Sequence, residues 1–363
     1  MTHKKIVHII SSLHLGGAES YLYRLILSDD KYNHVVFALR GEDHYVSRLK
    51  AKGIIVFSMK FKKHPVRSFI KLYKEIKYIN PDSVCSWLYY GDLFGSLVGM
   101  LLNYKPIWNV RHGEDSKVTF LSLLYMKLKF LALLSYIAPQ KIIYNSRSSR
   151  NFHENFLGYK KNIGIIISNG VDCERFKPTY KLYKQRHGEE VIVGTVARYH
   201  YDKGYDILLK AIAILINNGH KIRLLVAGSD TDGDEMYSML KKLRIKEYVE
   251  IYGVIENIEE FYPQLDIFIL SSRTESCPNA LLEAMACGIP SIATNVGDVG
   301  IILGENGIIV KKEDPEILAE SIINMKKKPE ESKKSMVKIS RNLIETYFNR
   351  REAYSIHLDK LIS

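Results

Sequence analysis

The segment ESCPNALLEAMACGIP at residues 275–290 places two glutamates, Glu275 and Glu283, on either side of Pro278. Carboxylates accept hydrogen bonds from sugar hydroxyls, and two held at different depths could grip two parts of one sugar-containing ligand. Two cations stand upstream in GTVARYHYDKG: Arg198, with its planar fork of donors, and Lys203, a point charge. Such a pair suits a diphosphate. In SSLHLGGAES, Gly16 and Gly17 fall where a strand turns into a helix, and a backbone bare of side chains lets a ligand approach the unpaired N–H groups there. Each feature also has a plain reading. The spacing at Gly16 is not GxGxxG, so the pair could be a tight turn alone. Arg198 and Lys203 could be solvated charges, and the glutamates a surface carboxylate and a helix-dipole partner.

Apolar periodicity supplies the elements that would hold these residues. IVHIISS, VVFAL, IIVFSM, SVCSW, PIWNV and KIIYNS read as strands in the first half, with AESYLYRLILS, SFIKLYKEIKYI and GDLFGSLVGMLL as helices between them. The second half repeats the alternation with strands VIVGTVA, IRLLVAG, VEIYG, IFILSS and PSIAT, and helices DILLKAIAILINN, ALLEAMAC and EILAESIINMKK. Strand and helix alternating in this way predict two doubly wound α/β domains, each a parallel sheet covered on both faces. Arg198 and Lys203 then lie beyond the carboxyl end of a strand, where ligands of open α/β sheets bind. Pro278 suits the first turn of a helix, so Glu275 sits on the loop above and Glu283 about five residues into the helix. The domain boundary is expected after SNGVDCERFKP, with residues 176–190 as linker.

Composition narrows the function classes. Residues 1–186 carry 30 Lys and Arg against 13 Asp and Glu, a net of +17, whereas residues 187–363 carry 22 against 27, a net of −5. A basic first half favours an anionic partner, nucleic acid or an acidic membrane surface, over a merely solvated lysine-rich face. No nucleic-acid motif accompanies the charge, so nucleic-acid binding is not expected. The four cysteines lack metal-ligand spacing and the start lacks a signal-peptide pattern, which predicts reduced thiols in the cytosol. No apolar stretch reaches transmembrane length. TFLSLLYMKLKFLALLSYIAP, residues 119–139, comes nearest; Lys127 and Lys129 make it either an interfacial helix or a buried one with snorkelling lysines. The acidic run SDTDGDE at 229–235 fails the calcium-loop pattern and reads as a solvated loop, so no metal site is expected.

Taken together, GGAES, RHG at 111–113, SNGVD at 168–172, GTVARYHYDKG at 194–204 and ESCPNALLEAMACGIP, in this order, resemble the retaining GT-B glycosyltransferases of family four. The resemblance covers almost the whole chain. It implies two Rossmann-like domains facing across a cleft: residues 1–180 for the acceptor and 181–344 for the nucleotide-sugar, with a C-terminal helix over 345–363 packing back on the first. It implies that Arg198 and Lys203 hold the donor diphosphate, Glu283 the ribose and Glu275 the transferred sugar, with Ser276, Cys277 and Asn279 beside it. Gly16 and Gly17 would approach the phosphates, and His112 would face the sugar and assist transfer. The family usually has glycine and an aromatic residue where Ser276 and Cys277 stand, which leaves the sugar's identity open; a nucleophilic Cys277 is not expected.

The expected function is thus metal-independent, cofactor-free, retaining transfer of a sugar to a membrane-associated, lipid-linked glycan during polysaccharide biosynthesis. UDP is the expected nucleotide on family frequency, and the enzyme is expected in the cytoplasm, peripheral on the inner face of the membrane. A soluble acceptor, or a nucleotide-sugar-binding subunit without turnover, are the alternatives.

Overall fold

The computed structural model describes residues 3–14, 16–41, 43–113, 122–179 and 190–362. The chain forms two compact units, residues 1–169 with 352–363, and residues 170–351.

In the first unit seven parallel strands, β1 (Lys5–Ile10), β2 (Asn33–Ala38), β3 (Ile55–Ser58), β4 (Ser83–Trp87), β5 (Ile107–Val110), β6 (Lys141–Tyr144) and β7 (Gly164–Ile166), lie in the order β3-β2-β1-β4-β5-β6-β7. β1 is central, pairing Lys5 to Ile10 with Asn33 to Ala38 on one side and Ile6 to Ile10 with Ser83 to Trp87 on the other. Its run IVHII is buried throughout, as a strand covered on both faces requires. The helices are α1 (Gly17–Leu27), α2 (His44–Ala51), α3 (Pro65–Ile79), α4 (Leu88–Leu102), α5 (Leu123–Leu134) and α6 (Arg147–Asn151), the last running on as a π-helical turn to Leu157. α1 and α2 bury Tyr21, Leu22, Leu25, Tyr45 and Leu49 in one core. α3, α4 and α5 lie side by side on the opposite face, burying Leu72, Ile76 and Val98 in a second core and Leu128 and Leu131 in a third.

The second unit has six parallel strands, β8 (Val191–Val196), β9 (Ile222–Ala227), β10 (Val249–Gly253), β11 (Ile267–Leu270), β12 (Ser291–Thr294) and β13 (Gly307–Val310), in the order β10-β9-β8-β11-β12-β13. α7 (Tyr205–Asn217), α8 (Asp234–Leu243) and α11 (Pro315–Lys327) cover one face. α9 (Asn279–Ala286), α10 (Val299–Leu303) and α12 (Glu330–Tyr347) cover the other. The last helix, α13 (Arg350–Ile362), carries the chain back into the first unit, where Tyr354, Leu358 and Leu361 join the core of α1.

Two expectations need correction. The first unit ends at Asn169, not near residue 180, because the apolar side chains that follow Asn169 belong to a core of the second unit, beneath α9, α10 and α12. Val171, Cys173 and Phe176 are buried there, and the Arg341 guanidinium donates to the carbonyls of Cys173, Phe176 and Ala286. An Arg350–Asp172 ion pair ties the same segment to the start of α13. Of the expected linker, residues 180–189 lie outside the described residues, as do 119–121 of the apolar segment 119–139. The edge strands β7 and β13 are additions to the expected set.

A buried polar relay runs beneath β1. The indole N–H of Trp87 donates to His8 Nδ1 at 3.2 Å, so the proton of His8 sits on Nε2 and is donated to His34 Nδ1 at 2.9 Å. His34 then gives its Nε2 proton to Asp29 at 2.7 Å. Every ring nitrogen of the pair is used, as burial demands.

Candidate active site

In both sheets the strand order reverses beside the first strand, between β1 and β4 and between β8 and β11. Connections there leave in opposite directions, opening a crevice at the carboxyl ends of the strands. The candidate residues cluster at these two points.

In the second unit, Lys203 closes a short 3-10 turn after β8, and Glu275 lies on the loop after β11. The structure joins them: Lys203 Nζ lies 2.6 Å from Glu275 Oε1, with the side chains 22% and 13% exposed. Ser272 Oγ donates to the same carboxylate oxygen at 2.8 Å, fixing it from the other side. The two loops are also bonded by the Arg273 backbone N–H, which donates to the Asp202 carbonyl at 2.7 Å, and by the Ser271 hydroxyl, which donates to the Lys203 carbonyl at 2.9 Å. Glycine permits this closeness. Gly204 has φ +63°, and a Cβ there would stand 2.1 Å from the Ser271 carbonyl oxygen. Gly297, at φ +56°, packs against the same loop, where a Cβ would stand only 2.4 and 2.7 Å from the carbonyl oxygens of Glu275 and Ser276.

Arg198, two residues beyond β8, is exposed on the neighbouring loop. α9 begins at Asn279, with Pro278 as its N-cap, one residue later than the proline rule predicts. Glu283 is half-buried on that helix and accepts a 2.7 Å hydrogen bond from the hydroxyl of Tyr262, whose ring is fully buried. The two glutamates are therefore held separately, Glu275 by Lys203 and Ser272, Glu283 by Tyr262. Ser276 and Cys277 are buried between them, and the Ser276 carbonyl accepts from Asp298 N–H at 3.0 Å. A buried Cys277 has no access to a substrate as nucleophile.

Sequence reading missed the clamp beneath this site. Arg273 makes a two-pronged pair with Asp206 at 2.7 and 2.8 Å, reaches Glu313 at 2.9 Å, and stacks over Tyr201 with 4.1 Å to the ring centre. Burial raises the Asp206 carboxyl, but the hydrogen bonds and charge of Arg273, with the Asp206 backbone N–H and the Lys210 charge, together outweigh it and hold the group below its ordinary value. The clamp fastens the start of α7 to the loop bearing Glu275. A lone arginine at the end of IFILSSR was its visible trace; its partners are 67 and 40 residues away.

In the first unit, Gly16 caps α1 in an extended conformation and Gly17 opens the helix. A Cβ at Gly16 would lie 2.4 Å from Glu19 Oε2, so this glycine leaves room for a carboxylate folded back over the helix start. Ser12 Oγ donates to the other oxygen of Glu19 at 3.2 Å. His112 follows β5, stacked on Tyr89 with ring centres 5.0 Å apart, and its carbonyl accepts from Ser149 Oγ at 2.6 Å. Between these groups and α5 lies a cavity of about 670 Å³. Ser12, Glu19, Arg40 and His112 make its polar side, while Leu88, Leu93, Leu124, Leu128 and Leu131 make an apolar one. Leu88 holds φ +63°, a conformation costly for a branched bulky residue and kept where the surroundings over-determine it. Arg111, beside His112, is buried over the Tyr21 ring at 3.6 Å and donates to Asn169 and to His357 of α13. It braces the site rather than lining it.

Comparison with known proteins identifies the family and agrees with the fold. Residues 190–328 match the family model Glycosyl transferases group 1, and residues 15–175 match Glycosyltransferase Family 4. The capsular polysaccharide biosynthesis glycosyltransferase CapM of Staphylococcus aureus is 30% identical over 167 residues, 44% of either chain. The match thus spans under half the length of that relative. EpsF of Bacillus subtilis is 29% identical over 80% of this chain and 79% of its own. Among solved structures, Anabaena HepE in complex with UDP-glucose superposes with a TM-score of 0.85 at 18% identity, covering 99% of both chains. With most of the chain matched by these two glycosyltransferase models and the fold shared from end to end, the chain belongs to the glycosyltransferases, with a family 4 domain followed by a group 1 domain on a GT-B fold.

Proposed function

We propose that this protein is a retaining glycosyltransferase that moves a sugar from a UDP-sugar to a membrane-associated, lipid-linked glycan in cell-surface polysaccharide biosynthesis. The observation that carries the proposal is the Lys203–Glu275 pair, braced by Ser272 at the β8/β11 reversal, with Arg198 and Glu283 on adjoining elements. An ammonium has three donors. One meets Glu275, which leaves the others for a diphosphate oxygen.

In this scheme Arg198 and Lys203 take up the charge that grows on the departing diphosphate, a group action worth most at preorganised cations. Glu275 orients hydroxyls of the transferred sugar, and Glu283, set by Tyr262, receives the ribose hydroxyls. Ser276, Cys277 and Asn279 offer backbone N–H groups at the start of α9. No metal enters the scheme. The UDP-glucose complex of HepE supports a uridine donor, and the naming of CapM for capsular polysaccharide supports the glycan acceptor. The apolar wall of the 670 Å³ cavity supports an acceptor with a hydrocarbon portion. The basic first half supports action at the inner membrane face. No helix among the described residues is long and apolar enough to cross a membrane.

The test is a thermal-shift screen with UDP, GDP, ADP and their sugar conjugates, since a ligand that binds only the folded state raises the midpoint. A shift with uridine compounds alone is expected, and a shift confined to GDP or ADP compounds overturns the UDP assignment. NMR of the product should show the donor's anomeric configuration retained. Loss of transfer on chelation would end the metal-free scheme.

A further inference from the structure

We propose that the outer surface of the α3–α4–α5 layer is a docking face for an anionic lipid bilayer, with the exposed stripe of α5 inserted and the basic stripe of α3 on the headgroups. The proposal deepens the reading of a membrane-borne acceptor and rests on it for its biological purpose.

α5 buries Leu128, Leu131, Ala132 and Leu134 against the sheet yet leaves a second apolar face in the open. Leu123, Met126, Phe130 and Leu133 are 65, 51, 55 and 72% exposed. At about 100° per residue these four fall within an arc of roughly 80°, one continuous stripe. Exposed Tyr136 and Ile137 extend it beyond the helix end. A stripe of this kind on a soluble surface marks an interaction site. Lys127 flanks it, exposed, while Lys129 on the other flank turns inward and donates to the Leu157 carbonyl at 2.9 Å. The described part of the segment packs on the core with one face and presents apolar side chains to the surroundings with the other.

The partner's chemistry is set by α3, which shares the same side of the sheet across α4. Arg67, Lys71, Lys74 and Lys77 are exposed along one stripe with Ile70 and Tyr78 between them. Against these four cations the helix carries a single carboxylate, the half-buried Glu75, and α5 carries none. Interleaved cationic and apolar side chains on a surface helix match a bilayer's interface, where stems and rings sink and charges meet anionic headgroups. A second copy of the chain using this face would set like charges against each other. Met126 and Phe130 belong both to the stripe and to the cavity lining, so docking in this orientation puts the cavity beside the hydrocarbon layer.

The experiment is flotation of the full-length protein with phosphatidylcholine vesicles, with and without phosphatidylglycerol, at low and high salt. The variants are Leu123→Asp/Leu133→Asp, which alters exposed residues outside the cavity lining, and Lys71→Glu/Lys74→Glu. Wild type should float with the anionic vesicles at low salt. Each double variant should lose about tenfold or more in partitioning, with its circular dichroism and nucleotide-induced midpoint shift unchanged. Failure of wild type to bind anionic vesicles overturns the inference, as does binding that both variants retain. So does a dimer seen by sedimentation that Leu133→Asp dissolves while vesicle binding persists. A nucleotide shift without vesicle binding would sink the docking face and leave the transferase reading in place; stripe-dependent binding without any nucleotide shift would support the face against that reading.

Discussion

Replacing Lys203 by Met removes the cation from Glu275 while keeping the length of the side chain. At 2.6 Å, Coulomb's law gives about 6 kcal/mol for the pair at an effective dielectric constant of about 20. The lost hydration of both groups offsets much of that, and with 22 and 13% exposure the pair keeps some solvent screening. The net loss on making Lys203→Met should therefore be about 1–3 kcal/mol, read by urea unfolding. Glu275→Gln alone should cost a similar amount. In the double variant neither charge remains, so the two losses should not add, leaving a coupling of about 1 kcal/mol or more. Activity should behave differently. If Lys203 stabilises the leaving diphosphate, Lys203→Met should lower kcat about 10²–10³-fold, and Glu275→Gln should not rescue it. Additive stabilities within about 0.3 kcal/mol would deny the pair any energetic weight in solution. A Lys203→Met enzyme within threefold of wild-type kcat would remove the diphosphate role even if the coupling were found.

Three other outcomes follow from the geometry. Tyr262→Phe deletes the hydroxyl that orients Glu283 at 2.7 Å, so the donor KM should rise about five- to tenfold with kcat nearly constant; an unchanged KM would detach Glu283 from the donor. Arg273→Ala leaves Asp206 and Glu313 without their cation and should cost about 2–4 kcal/mol in urea unfolding, whereas a loss under about 0.5 kcal/mol would reduce the clamp to a surface contact. His153 is buried with Nδ1 on the Ser149 carbonyl, and burial pulls it from 6.5 down to about 3. A base with a lowered folded value binds its proton better when unfolded. Its contribution is complete above pH 6.5 and drains as pH falls toward 3, reaching a loss of about 2 kcal/mol at pH 5. His8 and His357, lowered in the same direction by burial, steepen the decline. His153→Gln should flatten the slope of stability between pH 7 and 5, and an unaltered slope would contradict the assignment.

The order of strands and helices, and the residues at the carboxyl ends of the strands, were legible from sequence because the apolar runs that make buried parallel strands are local patterns. Arg198, Lys203 and Glu275 could be named for the same reason, since each stands a few residues beyond the end of such a run, and Glu283 because it sits on the apolar helix pattern that follows. The edge strands β7 and β13 escaped notice. GII and GIIV are three and four residues long and mostly not fully buried, so they carry little hydrophobic pattern and gain strand form by pairing with β6 and β12. Polar composition near residue 180 drew the boundary too late, because the anchoring of Val171, Cys173 and Phe176 depends on Arg341, far along the chain.

What the sequence determined alone was which elements form and where chemical groups stand along them, since hydrophobic period and turn chemistry act over a few residues. Which groups meet was decided by tertiary structure. The pairing of Lys203 with Glu275, of Tyr262 with Glu283 and of Arg273 with Asp206 closes gaps of 72, 21 and 67 residues. Those distances vanish only when parallel crossovers bring β8 beside β11 and set α9 over the sheet. Likewise, the composition of α5 announces an apolar helix, but the packing of Leu128 and Leu131 on the sheet determines that Leu123, Phe130 and Leu133 face outward. Contact energies act at a few ångströms in space, and only the folded chain fixes which residues come that close.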